Sequence, residues 1–129
     1  MDYREEIARL VSGGCCAEVM VRLGLALKGE ENPLLVTASS GLCIGMHSGF
    51  NCGALTGGCL LLAMFDRAVA ARVMIPELTE WFDAAYGMEY GSVNCEDLKG
   101  SSPVHCHGLI TETAEKCIEI LKYYGFLEE

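Results

Sequence analysis

The sequence predicts an all-α fold, a single-domain bundle of about five to six helices. Apolar residues recur at three- and four-residue spacing, no segment alternates convincingly as a strand would, and glycine or proline separates the periodic segments. The chain has 129 residues, which is the usual size of one domain. We therefore expect residues 1–129 to fold as one unit.

The first half of the chain contains three predicted helices. Residues 2–11 have apolar side chains at helical spacing, and residues 15 to about 28 repeat the pattern until a Gly- and Pro-containing stretch interrupts it. Residues 34–46 are apolar and small, and we favour a helix there, although Val36 and Thr37 also suit a strand. A glycine-flanked loop is predicted over residues 45–50.

A long apolar helix is predicted at the centre of the core. Asn51 suits its N-cap, and the helix should extend from Cys52 to about Val73. Pro76 can begin the next helix, whose aromatic and apolar repeat ends at Gly87.

The C-terminal part of the chain should contain a short helical turn and one last helix. The short turn is predicted over residues 95–98 after Asn94, another suitable N-cap. Ser102 and Pro103 suit the N-cap and first turn of the last helix. Its inward stripe should consist of Cys106, Ile110, Ala114, Cys117 and Leu121.

Composition and charge exclude several classes of protein. With 51% apolar and 21% charged residues, the chain can bury a core and does not resemble a disordered protein. The net charge is −9, so nucleic acid is not an expected partner. The longest apolar stretch, residues 52–65, is shorter than the ~20 residues of a membrane span. The acidic N-terminal residues do not resemble a secretion signal, and we expect a cytoplasmic protein.

Eight cysteines are the most informative feature of the composition, because structural disulfides are rare in the reducing cytoplasm. Cys52 and Cys95 each follow an asparagine that suits an N-cap, Cys16 lies near the start of the second helix, and Cys106 lies in the first turn of the last helix. Unpaired N–H groups and the helix dipole favour a thiolate at such positions and lower its pKa. The four cysteines are therefore candidates for redox chemistry or metal ligation.

Gly53 and Gly57 are the candidate cofactor-binding residues. They are four residues apart and share a helix face without side chains, which permits the close approach of a bound group or of another backbone. Helix packing alone is the alternative interpretation.

The remaining cysteines and the histidines are weaker candidates. Cys43, Cys59 and Cys117 lie on apolar faces and are expected to pack in the core. His105 and His107 flank Cys106 but point in different directions, so only one of them could ligate or donate to the same site. His47, in the glycine-flanked loop, is more typical of a surface residue.

The spacing of the cysteines excludes the common zinc-finger patterns. The sequence contains no C-x2-C or H-x3-H pair. Any metal or redox site must therefore be assembled from segments that are distant in the sequence.

The order of the cysteines is similar to that of a known family. Residues 52–57 match CGAxxG, the N-terminal pair Cys15 and Cys16 precedes them, and Cys95 and Cys106 follow towards the C-terminus. This order resembles the redox-active C_GCAxxG_C_C family, whose members are small and carry four characteristic cysteines. The resemblance covers about residues 13–120 and implies that the four are Cys16, Cys52, Cys95 and Cys106. It leaves open whether Cys15 or Cys16 is the functional thiol.

Three functions are compatible with these patterns, ranked as follows. The first is a thiol oxidoreductase or electron-transfer protein, with Cys52 as the attacking thiol and Cys16 or Cys106 as the resolving thiol. A redox partner protein or a small electron carrier would be its partner.

The second function is a tetrathiolate site in which the same four cysteines hold zinc or an iron–sulfur cluster. The third is a helical structural or partner-binding subunit with inert buried cysteines. Glycine-lined apolar faces also suggest a homo-oligomer.

Overall fold

The computed structural model describes residues 2–98 and 103–128, and in the second range it describes side chains from Cys106 onward. These ranges contain seven helices and no β-strand, so the all-α prediction is confirmed with a slightly higher helix count. The helices are α1 (Tyr3–Val11), α2 (Cys16–Lys28), α3 (Pro33–Ser39), α4 (Gly53–Phe65), α5 (67–90), α6 (Cys95–Leu98) and α7 (Pro103–Tyr123).

The first two helices begin and end close to where the sequence predicts. The Asp2 side chain accepts hydrogen bonds from the backbone N–H groups of Arg4 and Glu5 and so caps α1. Cys15 is the N-cap residue of α2, and Gly29 ends that helix in a left-handed conformation with φ of 67°.

Helix α3 is shorter than predicted, so the expected helix over residues 34–46 is correct only for its first half. Asn32 caps it by accepting from the N–H of Leu35 at 3.1 Å. At its end, the hydroxyls of Ser39 and Ser40 donate to backbone carbonyls three residues earlier, each at 2.6 Å. Such bonds compete with the helical ladder. A 3₁₀ turn, Ser40–Leu42, follows, and the chain is extended at Cys43.

The predicted long helix from Cys52 to Val73 is interrupted at Asp66. This residue is extended, with φ of −165° and ψ of 117°, and its carboxylate accepts from the N–H of Val69 at 2.9 Å. Asp66 therefore caps a new helix, α5. The apolar spacing continues across the break, which is why it did not reveal the interruption.

Helix α5 is continuous through Pro76, so the prediction that a helix begins there and ends at Gly87 is wrong at both ends. Two wider π-helical turns, Ala70–Met74 and Asp83–Gly87, lie within it. The Ala70–Met74 turn ends two residues before Pro76, and we attribute the local widening to the missing N–H and the bulky ring of proline. The helix ends before Gly91, which has φ of 90°.

The core is centred on α4, as predicted. This helix packs against α2, α5 and α7, and Leu61 and Leu62 are fully buried. On α7 the predicted inward stripe is confirmed, since Cys106 is half-buried and the other four members are buried. The proposed cap at Ser102 lies outside the described residues. Among the described helices, none is long and apolar enough to cross a membrane.

Candidate redox site

Two glycines allow α2 and α4 to approach each other closely. A Cβ atom on Gly53 would overlap the sulfur of Cys16 and lie 3.1 Å from the carbonyl oxygen of Leu42. A Cβ atom on Gly57 would lie 2.9 Å from the Cα and 3.0 Å from the carbonyl oxygen of Ala17. The glycine face of the CGAxxG segment is therefore occupied by α2, which accounts for both glycines by helix packing. Their role in cofactor binding stays a prediction.

A second contact joins the segments that carry Cys52 and Cys95. Asn51 and Asn94 form an isolated antiparallel bridge. The N–H of Cys52 donates to the carbonyl of Val93 at 2.9 Å, and the N–H of Cys95 donates to the carbonyl of Phe50 at 2.6 Å. The two Asn-Cys pairs identified in the sequence thus lie side by side.

Cys52 is itself the N-cap residue of α4, and the expectation that Asn51 has this role is wrong. The backbone of Cys52 is not helical, with φ of −55° and ψ of 131°. Its carbonyl accepts from the N–H groups of Leu55 at 3.0 Å and Thr56 at 3.1 Å. Cys52 therefore lies directly at the start of the helix.

The pKa of the Cys52 thiol is raised, whereas its position at a helix start predicted a lowered pKa. Burial raises the pKa of the Cys52 thiol to about 12, because only 7% of the residue is exposed. The neighbouring thiols of Cys16 and Cys95 raise this pKa further, and the backbone N–H groups of Ala54 and Leu55 lower it. The predicted low pKa is wrong for Cys52, since desolvation outweighs the helix start.

Three of the four predicted site cysteines are brought together in this way, and we call Cys16, Cys52 and Cys95 the inner cluster. Cys16 and Cys95 are half-buried and therefore more accessible than Cys52. Cys106 is also half-buried, in the first turn of α7.

Two of the three histidine candidates have described side chains, and both are exposed. His107 is exposed, and the side chain of His105 lies outside the described part of the chain. The Nε2 atom of His47 is 2.8 Å from the carbonyl oxygen of Ser40, in an exposed position as expected.

Cys15 and Cys43 form a separate sulfur pair. Their sulfur atoms lie at disulfide-bonding distance, and their Cα atoms are 6.0 Å apart. Cys43 is buried as predicted, but the interpretation of this residue as a simple core side chain is wrong because of its pairing with Cys15. Cys16, and not Cys15, lies beside Cys52.

The two sulfur groups differ in their suitability for a metal ion. Within residues 2–98 and 103–128, one group of three candidate ligands has all its ligand atoms within 4.8 Å of one another, namely Cys15, Glu18 and Cys43. As free thiols, this pair and the carboxylate could hold a thiophilic cation. The three thiols of the inner cluster do not meet this spacing.

Comparison with known proteins agrees with the cysteine pattern. The family model described as "Putative redox-active protein (C_GCAxxG_C_C)" matches residues 14–120, which is most of the chain. The chain belongs to this family. No curated protein matches it, and no solved structure does.

The other two cysteines of this C_GCAxxG_C_C protein lie between α4 and α7. Cys117 is fully buried and Cys59 is half-buried. Burial raises the pKa of both thiols, and the nearby Cys59 thiol raises that of Cys117 further. Their environment agrees with the predicted packing role.

Tyr86 is a neighbour of the inner cluster that the sequence analysis missed. Burial raises its pKa, and the hydrogen bond from its hydroxyl to Glu112 Oε1, at 2.9 Å, raises it further. Cys52 also contributes to this shift, so the hydroxyl lies near the Cys52 sulfur. The helical spacing of Tyr86 indicates only a core position, and no motif marks it.

The loop over residues 43–50 connects the Cys15–Cys43 pair to Cys52. Ile44, Met46 and His47 all have left-handed backbone conformations, with φ between 55° and 61°. Each such residue costs roughly 1–2 kcal/mol. The loop is closed by a hydrogen bond from the N–H of Phe50 to the carbonyl of Gly45 at 3.0 Å. Its conformation therefore depends on anchors at both ends.

Proposed function

We propose that this protein is a thiol redox protein whose reacting groups are Cys16, Cys52, Cys95 and Cys106. The observation that carries the proposal is the convergence of Cys16 and Cys95 on Cys52, close enough for both thiols to raise its pKa. Two independent contacts support this convergence, the glycine-mediated approach of α2 and the bridge between Asn51 and Asn94.

The accessibility of the thiols suggests their order of reaction. Cys16 or Cys95, which are half-buried, would react first with an external disulfide. Cys52, with its raised pKa, has a low thiolate fraction and is therefore a weak nucleophile towards an external disulfide. It would act as the second thiol, because a neighbouring sulfur compensates for a low thiolate fraction by proximity. This order reverses the roles first expected from the sequence.

The proposed reaction is a thiol–disulfide exchange. The Cys16 thiolate attacks a partner disulfide, a mixed disulfide forms, and one partner thiolate leaves. Cys52 then loses its proton and attacks the Cys16 sulfur, which releases the second partner thiolate. The partner gains two electrons and two protons, and a Cys16–Cys52 disulfide remains. The partner that accepts the two electrons and two protons would be a protein disulfide or a small disulfide carrier.

The spacing of the ligand atoms favours this function over a site in which the four cysteines bind a single zinc ion. Zn–S bonds of about 2.3 Å in a tetrahedron bring the sulfur atoms to roughly 3.8 Å from one another. The inner-cluster thiols do not form such a group in the described structure. Binding of a single zinc ion by Cys16, Cys52, Cys95 and Cys106 would therefore require a rearrangement.

Anaerobic purification of the full chain, followed by metal analysis and redox titration, tests the proposal. Peptide mapping by mass spectrometry should identify a reversible disulfide between Cys52 and either Cys16 or Cys95. The variant Cys52→Ser should lose it, and the control Cys59→Ala, on the same helix, should keep it. Stoichiometric zinc or iron that depends on Cys52 would instead support the metal site. A protein with neither disulfide nor metal would contradict both functions and favour a structural role.

A further inference from the structure

The pair formed by Cys15 and Cys43 is distinct from the inner cluster. Cys15 is the N-cap residue of α2, and Cys43 follows the 3₁₀ turn after α3. The Cα separation of 6.0 Å is within the range of disulfides. The pair joins residues separated by 28 positions in the sequence, and it attaches the beginning of the loop over residues 43–50 to α2.

We propose that Cys15 and Cys43 are a second redox couple, reduced by an external dithiol, which controls access to Cys52. In the oxidised state the bond holds the loop closed, and in the reduced state the loop opens. The couple itself is independent of the proposed function. Only the consequence for redox chemistry at Cys52 rests on it.

The loop has features of a segment that must be held in place. Its run of left-handed residues, Ile44 to His47, is unfavourable for side chains other than glycine. Gly45 packs so closely on the backbone of Phe50 that a Cβ atom there would overlap it. Release of one end of the loop should therefore favour its opening.

The two ends of the loop are anchored differently. At the C-terminal end, hydrogen bonds of the Asn51–Asn94 bridge hold Phe50 and Cys52. At the N-terminal end, Cys43 is bonded to Cys15. The carbonyl oxygen of Leu42, the residue before Cys43, lies 3.1 Å from the Cβ position of Gly53 at the start of α4. Opening from the Cys43 end would therefore uncover the start of α4, where Cys52 is only 7% exposed.

Reduction of the Cys15–Cys43 disulfide requires no reactant other than the external dithiol. A thiolate of the external dithiol attacks the Cys15 sulfur, which is the more exposed of the two. The bond to Cys43 breaks, and Cys43 leaves as a thiolate and takes up a proton. The second thiol of the reductant then attacks the mixed disulfide and releases Cys15. The reductant leaves as a disulfide, having supplied two electrons and two protons.

Glu18 provides a partner for the reduced form. Its Oε1 atom lies 3.2 Å from the Cys15 sulfur, so the thiol that reduction produces at Cys15 would have a carboxylate acceptor within reach.

The proposal is tested with the full chain in dithiothreitol buffers of graded ratio of reduced to oxidised reagent. Differential alkylation and peptide mapping should show a Cys15–Cys43 disulfide that forms and breaks reversibly. Hydrogen exchange should show that the Phe50 amide exchanges about tenfold faster after reduction. Amides in the middle of α7 should not change. A pair that never forms a disulfide, or a loop whose exchange is the same in both states, would overturn the proposal.

A variant measures access to Cys52 directly. In a chain with Cys16, Cys95 and Cys106 replaced by serine, Cys52 cannot form a disulfide within the inner cluster. We expect its alkylation by N-ethylmaleimide to be about tenfold faster when the Cys15–Cys43 couple is reduced. The further change Cys43→Ala should give the fast rate under both conditions, and Cys59→Ala should leave the difference intact. Equal alkylation rates with the couple oxidised and reduced would show that it does not control access to Cys52. This outcome does not depend on whether the inner cluster is redox-active.

Discussion

The N–H of Cys95 donates to the carbonyl oxygen of Phe50 at 2.6 Å, and this bond attaches the start of α6 to the residue that leads towards Cys52. The reciprocal bond from Cys52 to Val93 completes the bridge. The position of Cys95 beside Cys52 is therefore determined by backbone atoms. It should be insensitive to most side-chain substitutions in the segment, whereas changes that separate α2 from α4 should disturb the cluster.

The substitution Gly53→Ala should destabilise the protein by about 1–3 kcal/mol, because the new methyl group would overlap the Cys16 sulfur and approach the Leu42 carbonyl. Urea unfolding in the presence of reductant measures the change. Gly108→Ala is the matched control, since Gly108 lies in an exposed part of α7 with no atom within 4 Å of its Cβ position. This control should stabilise the protein by about 0.5–1 kcal/mol. Equal effects of both substitutions would contradict the close packing of α2 and α4.

The free energy of unfolding should fall as the pH rises from about 8.5 towards about 12. In this window an exposed thiol of the unfolded chain loses its proton, whereas Cys52, with its pKa raised to about 12, keeps it. The contribution of Cys52 is therefore fully present below about pH 8.5 and is lost at higher pH, at up to about 1.4 kcal/mol per pH unit. Urea unfolding of wild type and Cys52→Ala, both reduced, measures the difference in slope. Parallel pH profiles would show that the thiol is not desolvated.

The substitution Tyr86→Phe should cost about 1 kcal/mol of stability, because it removes the hydrogen bond to Glu112 between α5 and α7. Thermal unfolding at neutral pH measures this change. Tyr123→Phe serves as the control, since Tyr123 is 78% exposed, and it should have little effect. A larger loss for Tyr123 than for Tyr86 would be inconsistent with the described positions.

The substitution Asp66→Ala should destabilise the protein by about 1 kcal/mol through loss of the cap of α5. Asp66→Ser keeps an oxygen that can accept from the N–H of Val69, so it should retain most of the stability. The difference between the two variants in urea unfolding is the quantity to compare. If serine and alanine were equivalent, the capping bond would contribute nothing measurable.

The placement of cysteines at helix starts could be predicted from the sequence, because capping is a local property. The asparagines before Cys52 and Cys95 and the glycines before Cys16 are visible within a few residues. The extents of α1 and α2 follow for the same reason. The difference from the prediction is that Cys52, and not Asn51, is the N-cap residue of α4.

The Cys15–Cys43 pair and the raised pKa of Cys52 could not be predicted in this way. The pair joins α2 to an irregular loop whose left-handed residues leave no periodic pattern in the sequence. The pKa depends on how completely α2 and α4 exclude water, which is a result of tertiary packing. The break at Asp66 was missed because apolar spacing continues across it.

Cys15 and Cys16 are consecutive residues at the first turn of α2, yet their sulfur atoms belong to different groups. A rotation of this turn would displace both atoms together, so neither group can be repositioned without disturbing the other. Inserting one amino acid between them would uncouple the two sites. If the two side chains exchanged directions, the Cys15 sulfur would point towards Cys52 and the Cys16 sulfur towards Cys43. The peptide bond between these residues thus connects the Cys15–Cys43 pair directly to the inner cluster.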